Sequence, residues 1–411
     1  MSKPTPVHAT MNQFEVRDNQ ILIGGKDLDT LCAMLDKSVF YAYDKNVVKA
    51  QIDLFHQAIP KHIKLHYAIK ANPYPPLVNA MKDWVEGFDV ASQKEMLLAV
   101  QSGMPVKDIS FAGPSKQESE IKAAICAGVT LHVESELELS RAIEFGDELG
   151  ILPIIAFRVN PAFELKASGM KMGGGPKQFG IDEERLMEIL PVLDYEKIQF
   201  RGFHIYWGSQ NLKQEAIMDA HNKTFALAQR LIDLTPTSVE TVNIGGGFGI
   251  PYFAGETRLD LKPIGENLHT LLGQYPALAN IEVIIELGRF LVAEAGIYAS
   301  KITDKKVSRG HTYLMTNGGL HHHLSNSGNF GQVIRKNYPV AIGNKMNSEA
   351  NKESVTAVGP LCTPLDTLAD KMMLTDPQIG DWLVIFQSGA YGPTASPQDF
   401  LGHPHVVEIV L

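Results

Sequence analysis

Cysteine is scarce in this chain: Cys32, Cys126 and Cys362 are the three among 411 residues. They form no CxxC pair and are odd in number. That argues against a disulfide framework and a cysteine zinc site, and favours a reducing compartment. Basic clusters are missing too. The net charge is −9, with no lysine or arginine block to neutralise phosphates, so nucleic acid and anionic membrane are not expected partners. No apolar run approaches the roughly 18 residues that span a bilayer. The opening MSKPTPVHATMNQF lacks the apolar core of a secretory signal, so a cytoplasmic protein is expected.

What is present is a folded composition, 45% hydrophobic and 20% charged. The length predicts two or three domains at roughly 100–200 residues each. The most informative stretch is KLHYAIKAN, residues 64–72, an apolar strand pattern that ends in Lys70 and turns at once. A lysine at the carboxyl end of a buried strand is well placed as a Schiff-base nucleophile. Seven further strand-like runs follow, near residues 88–90, 109–112, 130–133, 154–159, 202–205, 241–244 and 283–286. Segments with apolar residues three and four apart lie between them, including 94–100, 118–126, 136–145, 185–193 and 216–234. Eight strands alternating with helices predict a parallel (β/α)8 barrel, with a doubly wound sheet as the alternative. Beyond about residue 294 the runs at 355–358, 382–386 and 406–410 predict a β-rich C-terminal domain. The expected division is an N-terminal segment over 1–40 that packs with that domain, a barrel over 41–294 and the β-domain over 295–411.

Active sites of such barrels lie at the carboxyl ends of the strands. The sequence puts Lys70 there after strand one, Asp89 in strand two, Arg158 in strand five and His204 in strand six. Gly245-Gly246-Gly247 follows strand seven, and Glu286 ends strand eight ahead of Gly288-Arg289. This set suits one cofactor, pyridoxal 5'-phosphate. Lys70 would bond its aldehyde, the glycines would let backbone amides approach the phosphate with Arg289 adding charge, and His204 would stack on the ring. Glu286 would keep the ring nitrogen protonated. Singly, each feature has a plainer reading. Lys70 is then a solvated loop residue, Arg158 and Glu286 a structural ion pair, and GGGFG a turn without the GxGxxG spacing of a dinucleotide site. Gly169–Gly175 lacks the lysine of a phosphate loop and reads as a mobile lid. His321-His322-His323 suggests a metal, but adjacent strand residues face opposite ways, and no metal is expected.

HYAIKAN, GFDVASQKE, QFGID, GFHIYWGSQ, VNIGGGFGI, IELGR, GPLCTPLD and SGAYG resemble, in order, the motifs of the ornithine/diaminopimelate decarboxylase family, the fold type III pyridoxal phosphate enzymes. The resemblance runs from about Tyr67 to Gly392. It implies an alanine-racemase-like barrel with a C-terminal β-domain and decarboxylation at an amino-acid α-carbon. On the matching residues it implies Lys70 as Schiff-base lysine, His204 as ring-stacking residue and Glu286 at the pyridine nitrogen. Ser209, Gly246, Gly247 and Arg289 would hold the phosphate, while Asp89, Arg158 and Tyr391 would support the cofactor. The CxxxD segment of the family reaches the partner subunit's site. This implies a homodimer with shared sites, Cys362 as the proton donor after carbon dioxide leaves, and Cys362, Thr363 and Asp366 against the substrate.

The chain also departs from that pattern. The residue after the cysteine is acidic in ornithine and diaminopimelate decarboxylases and is Thr363 here. LHHHLSNSGNFG stands where an arginine-proline pair is usual, and HIYWGSQ has two extra residues before its GSQ. These departures, with the glycine loop at Gly173–Gly175, resemble a subgroup that acts on amino-acid units of larger conjugates, carrier-bound or siderophore-type. A free diamino acid is the alternative substrate. Two alternative functions remain. An amino-acid racemase of this fold would place arginine near the ring nitrogen, where this chain has Glu286. A non-catalytic pyridoxal phosphate-binding protein would lack the β-domain.

Overall fold

The structure is a computed structural model that describes residues 6–164, 170–171, 173–327 and 336–411. It divides into two compact units. One comprises Ile52–Gly249 and Leu259–Gly288, the other Met1–Gln51, Ile250–Arg258 and Arg289–Leu411. Residues 41–51, expected with the barrel, group with the β-rich unit, as do Ile250–Arg258 and Arg289–Glu294. The reason is strand pairing: Val39–Tyr43 pairs antiparallel with Gly296–Ser308 and parallel with Val407–Val410.

The first unit is the expected barrel. Its strands are β1 (Ile63–Ala68), β2 (Gly87–Val90), β3 (Ile109–Phe111), β4 (Thr130–Val133), β5 (Ile154–Asn160), β6 (Gln199–Ile205), β7 (Thr241–Gly246) and β8 (Glu282–Leu287). Each pairs parallel with the next, and β8 pairs with β1, which closes the sheet. Ile181–Asp182 adds to the carboxyl end of β5. Two of the helices between strands start at serine caps. Ser92 Oγ accepts Glu95 N at 3.2 Å, and Ser135 Oγ accepts Glu138 N at 3.1 Å. Barrels of this kind usually fill their interior with branched apolar side chains. Here each of the eight strands carries a buried polar or charged residue: His66, Asp89, Ser110, His132, Arg158, His204, Asn243 and Glu286.

The second unit is built on a sheet ordered Val340–Ile342, Trp382–Ile385, Gly296–Ser308, His311–Thr316, Lys352–Val358 and Thr367–Thr375. Its core gathers Ile21, Ile23, Phe40, Ile297, Trp382 and Phe386. Trp382 is fully buried, and its indole donates to Asp29 Oδ1 at 2.8 Å. His321–His323 lie in a turn, not on a strand as expected, and all three are buried. Gly169 and Met172 of the expected lid lie outside the described residues. No described helix is long and apolar enough to cross a membrane.

Candidate active site

The site is set by strand register. Asp89, His204 and Glu286 each occupy the next-to-last residue of their strand. Strand β1 ends at Ala68, and Lys70 sits in the 3-10 turn Ile69–Ala71, after strand one as the sequence placed it. Its Nζ lies 3.8 Å from Glu286 Oε1. His204 Nε2 lies 3.3 Å from Glu286 Oε2, an ion-pair distance without hydrogen-bond geometry. Burial alone would raise the Glu286 carboxyl. The charges of Lys70, His204 and Arg158 outweigh it and hold the group well below the usual carboxylate range. A buried carboxylate kept ionised in this way can hold a proton on a basic partner.

The His132 ring on β4 packs against His204 at 4.7 Å between centroids. Burial, with His204 adjacent, pushes its imidazole well below its ordinary value, so it is neutral. Asp89 accepts the Ser110 hydroxyl and lies 3.6 Å from His66 Nδ1. Burial would lower the His66 imidazole, but Asp89 raises it.

Arg158 does not pair with Glu286, as one reading of the sequence had it. Its Nη1 donates to Glu134 Oε1 at 2.8 Å, and the Phe179 ring lies 4.8 Å from its guanidinium carbon. Sequence reasoning missed Glu134. The available signal was an acidic residue directly after strand four, the place where other strands carry their site residues. Lys70, Asp89, Arg158, Phe179, His204 and Glu286 line one pocket of about 260 Å³.

Ser209 lies in the two-residue strand Gly208–Ser209, which pairs with Met170–Lys171. Its hydroxyl is buried with no hydrogen-bond partner among the described residues. Gly246 is apposed to Glu286 across β7 and β8, and a Cβ there would strike the Glu286 carbonyl. At Gly247, φ is +74°, and a Cβ would collide with the Gly208 carbonyl. Only glycine brings the backbone this close to the Ser209 segment. The donor set fits a phosphorylated pyridine aldehyde: an amine for the aldehyde, an ionised carboxylate for the ring nitrogen, a buried imidazole for the ring face, and a lone hydroxyl beside a glycine loop for the phosphate.

The remaining predicted residues belong to the β-rich unit. Arg289 opens a short helix, donates to the Tyr252 hydroxyl at 2.8 Å and lies 4.5 Å from the Tyr391 ring. Tyr391 takes a left-handed φ of +54°. Cys362 is exposed and Thr363 half-buried. Asp366 is turned inward. Its Oδ1 accepts Leu320 N at 2.6 Å and its Oδ2 accepts Leu361 N at 2.8 Å. Burial raises its carboxyl, and these amides oppose the rise. No group of three or more histidine, cysteine or acidic residues among the described residues could hold a metal ion.

Residues 45–293 match the family described as pyridoxal-dependent decarboxylase, pyridoxal binding domain. The chain is 33% identical to the L-glutamyl-[BtrI acyl-carrier protein] decarboxylase of Niallia circulans over 377 residues, 90% of this chain and 88% of that protein. It is 30% identical to the 2-[(L-alanin-3-ylcarbamoyl)methyl]-2-hydroxybutanedioate decarboxylase of Staphylococcus aureus, covering 89% and 92%. Its fold is similar to the diaminopimelate decarboxylase of M. jannaschii in co-complex with L-lysine, with a TM-score of 0.86, 25% identity, and 97% and 93% coverage.

Proposed function

Because this chain belongs to the pyridoxal-dependent decarboxylase family, we propose that its substrate is an amino-acid unit carried on a larger conjugate and not a free diamino acid. The enzyme is a pyridoxal phosphate-dependent carboxy-lyase. The observation that carries the substrate reading is the loop Leu361–Asp366. Its one carboxylate, Asp366, is buried with both oxygens on backbone amides, and Thr363 is neutral. The loop therefore offers no anion to the distal amine of a diamino acid. The names of the Niallia and Staphylococcus relatives describe conjugated substrates, which supports the same reading.

When bound, pyridoxal phosphate supplies an electrophilic aldehyde and a ring that accepts the electron pair left by the departing carboxylate. Lys70 would be the nucleophile that bonds the cofactor's aldehyde. Glu286, held ionised, would face the ring nitrogen and favour its protonated form, and His204 would cover a ring face. Ser209, Gly246 and Gly247 would receive the phosphate, with Asp89 and Arg158 supporting the cofactor. Arg289 and Tyr391 are assigned phosphate and cofactor contacts by resemblance. Cys362, exposed on its loop, is assigned proton donation to the α-carbon in the partner subunit of a homodimer, beside Thr363. Asp366 shapes that loop. Three free cysteines and an acidic net charge support a cytoplasmic setting.

Carbon dioxide release tests the substrate class. Cofactor-loaded enzyme is expected to be silent on meso-diaminopimelate, lysine, ornithine and arginine. It is expected to turn over an L-glutamyl carrier-protein conjugate or the L-alanin-3-ylcarbamoyl conjugate of 2-hydroxybutanedioate. Saturable release from a free diamino acid, lost in Lys70→Ala, would overturn the reading of Thr363 and leave the decarboxylase assignment intact.

A further inference from the structure

Glu134 has no part in the chemistry described above, yet both of its carboxylate oxygens are engaged. It follows the last residue of β4 and is buried. Its Oε1 accepts Arg158 Nη1 at 2.8 Å and Gly113 N at 2.5 Å, and its Oε2 accepts Gly180 N at 3.1 Å. One carboxylate thus joins the loop after β3, the arginine of β5 and the QFGID segment. Gly180 is suited to this approach. Its φ is +73°, and a Cβ there would lie 2.9 Å from the Arg158 carbonyl oxygen.

The support is itself braced. Glu134 N donates to Glu138 Oε2 at 3.1 Å, and Glu138 Oε1 receives Lys116 Nζ at 2.6 Å. Lys116 also donates to the carbonyls of Gly113 at 2.8 Å and His132 at 2.7 Å. Burial would raise the Glu134 carboxyl, but Arg158 and Lys116 lower it, so it stays ionised as an anion for Arg158.

Arg158 needs such a restraint. It shares a pocket with Glu286, and it is in register with His204, whose Nε2 is 3.3 Å from Glu286. A guanidinium and a carboxylate in one pocket form a strong bidentate pair when nothing prevents it. Such a pair would occupy the oxygens that hold a proton on the cofactor's ring nitrogen.

We propose that Glu134 is a positioning residue that holds Arg158 away from Glu286 and thereby reserves the Glu286 carboxylate for the ring nitrogen. The proposal rests on the assignment of Glu286 to that nitrogen. Without Glu134, Arg158 would turn to Glu286 and compete for the carboxylate oxygens that would otherwise favour a protonated ring nitrogen.

The test uses the full-length protein without substrate, titrated with pyridoxal phosphate and then with acid and base, following the visible absorption of the bound cofactor. Wild type, Glu286→Ala, Glu134→Gln, Arg158→Met and Glu134→Gln/Arg158→Met are compared. Glu134→Gln is expected to bind the cofactor about tenfold more weakly. Its absorption midpoint should move in the same direction as that of Glu286→Ala. Adding Arg158→Met should return most of the absorption midpoint toward wild type, because the shift comes from the released guanidinium, while affinity stays low because Arg158 itself supports the cofactor. A purely structural Glu134 predicts a double variant whose midpoint stays where Glu134→Gln puts it, and that result overturns the proposal. So does a Glu134→Gln protein that matches wild type. If Glu286→Ala leaves the spectrum unchanged while other readouts stand, the assignment of Glu286 fails and the proposal falls with it. Should Glu134→Gln not fold, Glu134→Asp retains the charge on a shorter arm and is expected to shift both readouts in the same direction by less.

Discussion

The strand ends of the barrel and the Leu361–Asp366 loop of the β-rich unit both hold residues that motif matching assigns to the active site, but they hold them differently. In the barrel, parallel register fixes direction. A residue at the next-to-last position of β2, β6 or β8 faces inward whatever its chemistry, so Asp89, His204 and Glu286 converge. In the loop, direction is decided residue by residue. Asp366 turns in to two backbone amides, while Cys362, four residues earlier, faces out. Regular structure makes placement readable from spacing. A loop makes it depend on which backbone donors happen to lack partners.

The sharpest way to break this comparison is Lys70→Ala, which should lower carbon dioxide release by roughly three to four orders of magnitude, because no other group supplies the nucleophile. Activity within tenfold of wild type would remove the barrel end as the seat of chemistry. Asp366→Ala should act on stability. It strands the amides of Leu320 and Leu361, at a cost of about 2–4 kcal/mol for two hydrogen bonds to a carboxylate. Thermal unfolding reads this loss, and an unchanged melting temperature would mean that Asp366 faces outward.

A smaller effect concerns pH in the β-rich unit. Burial pushes the His323 imidazole down to about 3, from an ordinary value near 6.5. The folded state thus holds His323 neutral where the unfolded chain takes up a proton. Its share of stability is complete above about 6.5 and is lost as pH falls toward about 3. His323→Gln, which can still reach Ser388 Oγ, now 2.8 Å from His323 Nε2, should flatten the loss of melting temperature between pH 7 and pH 4. An equally steep loss in the variant would place the acid sensitivity elsewhere.

The barrel was legible because each of its strands is a short apolar or β-branched run bounded by a turn. Even Phe88–Val90, the weakest of these, is flanked by helical periodicity. The inward polar residues were legible because a histidine or carboxylate at a strand's carboxyl end has few structural uses. Glu134 was not. It stands before Ser135, the cap of the next helix, and an acidic residue there reads as part of the helix start. The Glu134 partner of Arg158 was not legible either, since spacing gives strand order but not which of two carboxylates an arginine reaches. The inward turn of Asp366 was hidden as well, because it is set by Gly319 and Gly359, where any Cβ would strike its carboxylate.

The most direct measurement compares Glu286→Ala and Thr363→Asp across one panel of free and conjugated amino acids, reading carbon dioxide release. If strand ends carry the chemistry and the loop carries substrate choice, Glu286→Ala should lower kcat on every accepted substrate by roughly two to three orders of magnitude. Thr363→Asp should leave kcat on the best substrate near wild type and raise kcat/KM for a free diamino acid. A Glu286→Ala enzyme with full turnover, or a Thr363→Asp enzyme that loses all substrates equally, would contradict the account.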